Sequence, residues 1–313
     1  MRRLTLILAL SFFVFRLSAQ GCSDAGFCTM GAMKPDQPFN KKIEFKLRSM
    51  EVSFYRGTTT MTPVIYVATA DLNFSLNSKT SFQVKLPYQY VTGHLAQTES
   101  LGDISLCLTR NISSSEKRDI NFSLGAKVPS NNSDKVKDGL PLPMYYQTSL
   151  GTYDAIAGIS YITRGWLLAT GIQVPLNKNE NGFLWGPWFN HFAENKPDSL
   201  YAKGYDKAKA LKRGTDVMLR VERNFRFSRW NFTLGLLPIY RITNDEITNP
   251  AGKREKPVGA KGLAMSGIVT AGYSFNVHSG IRLLAGHKIV QRDVNPDGLT
   301  RELVTTISYY YRF

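Results

Sequence analysis

The last eleven residues of the sequence, 303–313 (LVTTISYYYRF), constrain the fold more than any other stretch. Read as a strand, they put Leu303, Thr305, Ile307, Tyr309, Tyr311 and Phe313 on one face. Val304, Thr306, Ser308, Tyr310 and Arg312 fall on the other. Successive side chains of a strand point to opposite sides, so the segment has one nearly apolar, aromatic face and one mostly polar face. The sequence supplies nothing beyond Phe313 to cover the aromatic side. Lipid would cover it if the strand closed a barrel in a bilayer.

The same period-two alternation recurs along the chain. Phe82, Val84, Leu86, Tyr88 and Tyr90 oppose Ser81, Gln83, Lys85 and Gln89. Val217, Leu219, Val221, Phe225 and Phe227 oppose Asp216, Arg220, Glu222, Asn224 and Arg226. The pattern predicts an all-β transmembrane antiparallel barrel of about twelve strands, within a range of about ten to fourteen. Their expected starts are near Ile43, Pro63, Thr80, Gly102, Asp119, Tyr153, Gly165, Thr215, Arg229, Gly262, Gly280 and Arg301. The first changes phase between Leu47 and Met50, which predicts a bulge. Connections after even strands are short, while most of those after odd strands are long, at 92–101, 129–152, 177–214, 244–261 and 292–300. Short periplasmic turns and long outer loops produce this asymmetry.

Residues 1–19 read as a secretory signal, with Arg2 and Arg3, an apolar run, and Leu17-Ser18-Ala19 as the cleavage site. That run is well short of the ~20 residues of a spanning helix. Residues 20–42 read as a periplasmic segment, either a plug or a tail hanging below, and 43–313 as the barrel. Cys22 lacks the preceding leucine of a lipidation signal; an oxidising compartment would join Cys22 to Cys28. No Cys–His spacing suits zinc, and no cofactor is expected. The 18 Phe, 15 Tyr and 4 Trp suit interfacial girdles. Net charge is +15, or +12 once Arg2, Arg3 and Arg16 leave with the signal. On an exported barrel this favours outer-membrane lipid, anionic glycolipid or an anionic solute as partner, and not nucleic acid.

Two local patterns resemble known families. Tyr309, Tyr311 and Phe313 resemble the terminal signal by which the barrel-assembly machinery recognises outer-membrane barrels. Leu101-Gly102-Asp103-Ile104-Ser105-Leu106 is one part of a second likeness. The other runs from Ser123-Leu124-Gly125-Ala126-Lys127-Val128-Pro129, through Asp138-Gly139-Leu140-Pro141, to Ser149-Leu150-Gly151-Thr152-Tyr153-Asp154. Together they are similar to the phenol meta-cleavage-pathway barrels, distant relatives of the long-chain fatty-acid transporters. The resemblance implies an outer-membrane barrel that admits small hydrophobic compounds.

With polar faces inward, the lumen would hold Glu44, Lys46, Arg48, Asp71, Lys85, Lys127, Asp216, Arg220, Glu222, Arg226, Arg241, Arg282 and Arg312. They describe either a charge-lined conduit or a ladder of mutual pairs filling a narrow interior. Phe183, Trp185, Trp188, Phe189 and Phe192 concentrate in the longest loop as candidate ligand contacts. Residues 198–212 read as a short basic amphipathic helix for an anionic surface. A barrel lipase would need a serine beside His287 and a barrel protease an Asp–His pair at the rim; neither is evident in the sequence. The expected function is a non-enzymatic channel for small, hydrophobic or aromatic solutes, with a structural barrel as the alternative.

Overall fold

The computed structural model describes Met30, residues 46–192 and residues 197–313; the expectations for residues 1–19, for Cys22, Cys28 and Glu44, and for most of 20–42 lie outside the described residues. Its strands are β1 Lys46–Thr58, β2 Val64–Asn77, β3 Thr80–Thr92, β4 Gln97–Leu101, β5 Ile104–Ser114, β6 Arg118–Val128, β7 Val136–Lys137, β8 Leu140–Pro141 and β9 Asp154–Thr163. They continue as β10 Trp166–Pro175, β11 Asp216–Phe227, β12 Trp230–Arg241, β13 Ile247–Thr248, β14 Arg254–Glu255, β15 Gly262–Ser274, β16 Ser279–Val290 and β17 Leu303–Arg312. Two short helices, α1 Trp185–Phe192 and α2 Pro197–Lys203, lie between β10 and β11.

Twelve of these strands form a closed antiparallel ring in the order β1, β2, β3, β5, β6, β9, β10, β11, β12, β15, β16, β17. The ring closes where β17 pairs β1, from Ser49 opposite Arg312 to Thr58 opposite Leu303. The expected starts fall within three residues of the observed ones. The expected bulge is present: β1 passes from Leu47 opposite Phe74 to Ser49 opposite Asn73. After it, odd residues face inward, which brings Glu51 into the lumen.

β4 is an additional strand that shares the partner of β5. Tyr88–Thr92 of β3 pair with β4, and Thr80–Lys85 pair with β5. The break falls at Gly102-Asp103, beside Pro87. Proline has no N–H for the ladder, and its carbonyl accepts from the Gly102 N–H at 2.8 Å.

Burial is inverted relative to a protein in water. Phe54, Leu124, Leu234, Leu283 and Ile307 are exposed on the outer face, while Asp71, Gln83, Ser105, Asn121, Arg220 and Glu222 are buried inside. Lipid makes that outer face favourable. Tyr309, Tyr311 and Phe313 lie on this face, with the Tyr311 and Phe313 rings 5.0 Å apart and edge-on.

At one end the strands are joined by two to four residues (78–79, 115–117, 164–165, 228–229 and 275–278). The long connections at the other end fold into a cap. Within it β7 and β8 form a ladder across Asp138-Gly139, whose φ angles of 51° and 77° suit a two-residue hairpin turn. The helix expected over 198–212 is corrected. α2 ends at Lys203, before Gly204, and Tyr205, Ala208 and Leu211 are buried in the cap beyond it. Their apolar surface meets the other loops, so it does not form one face of a helix on a membrane.

Leu236 lies on the outer face of β12, between the aromatic Trp230 and Tyr240. Leu236→Arg should cost ~2–4 kcal/mol in vesicle folding titrations, as expected for a cation near the bilayer midplane.

Candidate functional site

The candidate site is the lumen together with the cap that covers its outer mouth. On the side of β1 to β3, inward Tyr55, Ile65, Val67 and Val91 pack against Leu142, Tyr145, Tyr146, Phe183, Trp188 and Tyr205 from the loops. This cluster sits in water, so ordinary hydrophobic burial holds it, at ~1.5–3 kcal/mol for each large side chain. Hydrogen bonds from its loop residues add to the packing. Trp188 Nε1 donates to Pro141 O at 2.9 Å, Trp185 Nε1 to Tyr205 O at 2.8 Å, and the Leu95 N–H to the Tyr146 hydroxyl at 3.1 Å. Burial pushes the Tyr145 phenol up to about 12 and raises that of Tyr205 further, so both stay protonated.

The five aromatic loop residues therefore differ in position. Phe183 and Trp188 are fully buried. Trp185 and Phe189 are half-buried, with Lys207 Nζ 4.5 Å above the Trp185 ring. Phe192 ends α1, and its side chain is outside the described set.

Three ionic clusters join the cap to the wall. Asp103 accepts from Ser149 Oγ at 2.5 Å and faces Lys127 Nζ at 3.6 Å. Asp154, at the start of β9, accepts from Arg213 and Gln173. Arg241 is the centre of the third. Its Nε and Nη2 donate to Asp216 at 2.8 and 2.7 Å, its Nη1 donates to Asp245 at 2.8 Å, and its Nη2 lies 2.8 Å from Asp297. Burial alone would raise the Asp297 carboxyl; Arg241, Arg292 and Arg213 outweigh it and hold the carboxyl below its usual range.

Below the cap, Asp71 accepts from Gln83 Nε2 at 2.9 Å and lies 3.8 Å from Lys85 Nζ. Arg220 Nε donates to Glu222 at 2.6 Å. Arg282 lies 3.7 Å from Glu51, and both Arg282 and Arg312 lie over the Tyr310 ring, at 5.7 and 5.1 Å. Lys46 and Arg226 are exposed at the short-turn end, and Arg48 lies at the bulge, its carbonyl accepting from the Phe313 N–H at 2.8 Å. A cavity of about 70 Å³ lies under the cap, lined by Tyr55, Val67, Lys85, Lys127, Gln147 and Arg301 among others. Met30 is buried against inward Cys107, Ile156, Leu167, Met218 and Leu237, which places this residue inside the lumen.

Sequence reasoning missed Asp103, Asp154, Arg213, Asp245, Asp297 and Arg301. Most lie in connections, where no strand phase assigns a direction. It also missed a rim pair: His94 Nε2 is 3.0 Å from Asp198 Oδ1, with the His94 ring stacked on Tyr201 at 3.9 Å. Lys137 shares that carboxylate at 3.5 Å. His287 faces outward from β16 with Gly267 and Leu303 opposite it in register, neither of them a nucleophile. Among the described residues no group of three potential ligands could hold a metal ion.

A closed twelve-stranded ring with a polar interior, an apolar exterior and one capped end is the fold of an outer-membrane β-barrel. The solved structure of an outer membrane channel from Pseudomonas putida F1 is similar over 89% of this chain and 99% of its own, with TM-score 0.59 and 12% identity. Two porins are more distant: NanC (TM-score 0.47, 8% identity, 86% of this chain and 100% of that one) and KdgM (0.44, 8%, 85% and 99%). No family model and no curated protein matches the sequence.

Asp297→Asn should leave Arg292 undercompensated, while Arg241 keeps Asp216 and Asp245, and should loosen the cap by ~3–5 kcal/mol, the usual result of breaking a buried pair. Faster proteolysis of the loops, with barrel circular dichroism unchanged, is the expected readout. Because the folded carboxyl titrates low, its contribution is complete above the ordinary carboxylate range. It is lost only as pH falls below that range toward the folded value.

Proposed function

We propose that this chain is an outer-membrane channel for small solutes, with hydrophobic or aromatic compounds as the class it suits best. The observation that carries this reading is the continuity of buried apolar side chains from the cap, through Tyr145, Tyr146 and Tyr205, to Tyr55, Ile65 and Val67 on the inner wall. When the cap parts, a solute with an apolar body finds contacts along that row. Trp185 and Phe189 offer the first contact at the cap, while Phe183 and Trp188 become available only when the cap parts. The paired charges below give the path polar steps of both signs, and movement is by diffusion and weak binding without a cofactor. Structural likeness at 12% identity supports the fold alone.

The remaining roles belong to the same proposal. Residues 1–19 direct export and are removed. Tyr309, Tyr311 and Phe313 present the end of the barrel to the assembly machinery. The exposed loop lysines meet anionic glycolipid of the outer leaflet.

Planar-bilayer recording and liposome uptake of the refolded mature protein test the reading. Expected results are a small conductance and measurable uptake of a small aromatic solute such as phenol, both increased by Trp188→Ala, which should cost the cap ~3–5 kcal/mol. No conductance and no uptake in either protein would remove transport and leave a structural barrel. His287→Ala should change neither measurement; phospholipid hydrolysis abolished by that substitution would install the enzymatic reading instead.

A further inference from the structure

We propose that the outer wall at the short-turn end of β6, β9, β10 and β11 binds the phosphate headgroup of an anionic glycerophospholipid in the periplasmic leaflet. Three arginines make the site. Arg118 begins β6, Arg164 lies in the two-residue turn between β9 and β10, and Arg223 lies near the end of β11. The register makes them neighbours: Arg118 is opposite Thr163, beside Arg164, and Arg223 is opposite Trp166. Three interstrand steps of ~4.8 Å place them along roughly 14 Å of wall.

All three side chains are exposed, and none is in an ion pair among the described residues. Lys117 adds a fourth cation, and Glu116 is the one carboxylate in the two turns. The turns at 78–79 and 228–229 carry one cation each, Lys79 and Arg229, so the two turns here hold the densest group. The turn between β15 and β16, residues 275–278, contains no lysine or arginine.

Arg223 is held in place for such a contact. Its guanidinium lies 5.1 Å from the Trp166 ring centre and 5.6 Å from that of Phe225, and its Nη1 donates to Gly165 O at 3.4 Å. Gly165 makes the approach possible, since a Cβ there would come within 2.5 Å of Nη1. Nε and Nη2 remain as a fork for a phosphodiester, the geometry that arginine matches best.

The depth is also right. Trp166, Phe225, Phe227 and Trp230 are exposed around the site and mark the interfacial girdle. Long basic side chains at that level reach headgroups while their stems stay on apolar wall. Short turns lie on the periplasmic side, whose leaflet is built of glycerophospholipid.

The test is tryptophan quenching by brominated lipids on the full mature protein, in a Trp230→Phe background. Trp185 and Trp188 lie in the cap, outside the bilayer, so Trp166 reports the site. Dibrominated phosphatidylglycerol should outcompete dibrominated phosphatidylcholine by at least about fivefold. Joint Arg118→Gln, Arg164→Gln and Arg223→Gln substitution should bring the ratio close to one. Joint Lys253→Gln, Arg254→Gln and Lys256→Gln substitution in the cap should leave it unchanged. Equal quenching by the two lipids in the parent protein would overturn the proposal, as would a preference that survives the arginine substitutions or falls equally with the cap substitutions.

Discussion

Lipid offers no donor or acceptor to a backbone, and the pairing of β1 with β17 is this chain's answer to that constraint. Without that ladder, two strands would each present a row of bare N–H and C=O groups to hydrocarbon, at several kcal/mol per group. With it, even the terminal Phe313 N–H has a partner, Arg48 O at 2.8 Å. The ring then dictates where everything else goes. Outward positions must be apolar, so polar side chains have only the lumen, the rims and the cap.

A narrow lumen concentrates those groups, and their charges must be matched. Arg241 shows the consequence most clearly, with one guanidinium facing three carboxylates from β12's neighbour β11 and from two different loops. Such a cluster is weak evidence of net stability, because desolvating each ion offsets much of the attraction. What it does supply is position. A loop whose aspartate occupies the one available fork cannot settle elsewhere over the mouth.

The ring was legible in the sequence because period two is a local signal and lipid makes it strong on both faces. The bulge near Leu47 was legible for the same reason: a change of phase is visible within a few residues. The cap was not. His94 meets Asp198 across 104 residues, and Arg241 meets Asp297 through coordinates that no periodicity encodes. The helix expected over 198–212 failed at Gly204, because the apolar spacing of Tyr205, Ala208 and Leu211 served tertiary packing in the cap instead. Glu51 was missed for a simpler reason. The phase change that revealed the bulge also moved the inner face onto odd residues, and only Lys46 and its neighbours were read from the earlier phase.

Wall and cap are held by different forces, and this decides which of them can move. The wall rests on a continuous ladder of backbone hydrogen bonds in a medium that offers no substitute, so opening it is costly at every step. The cap rests on hydrophobic packing in water and on ions that water can solvate when they separate. Its central anchor is built to survive separation. Arg241 keeps two hydrogen bonds to Asp216 on the adjacent strand, through Nε and Nη2, whether or not Asp245 and Asp297 remain in place. A departing loop therefore leaves behind a compensated arginine, while its own carboxylate passes into water, where ionisation has no burial cost. The physical asymmetry favours a rigid cylinder with a detachable mouth, and it assigns any conductance change to the loops before the strands.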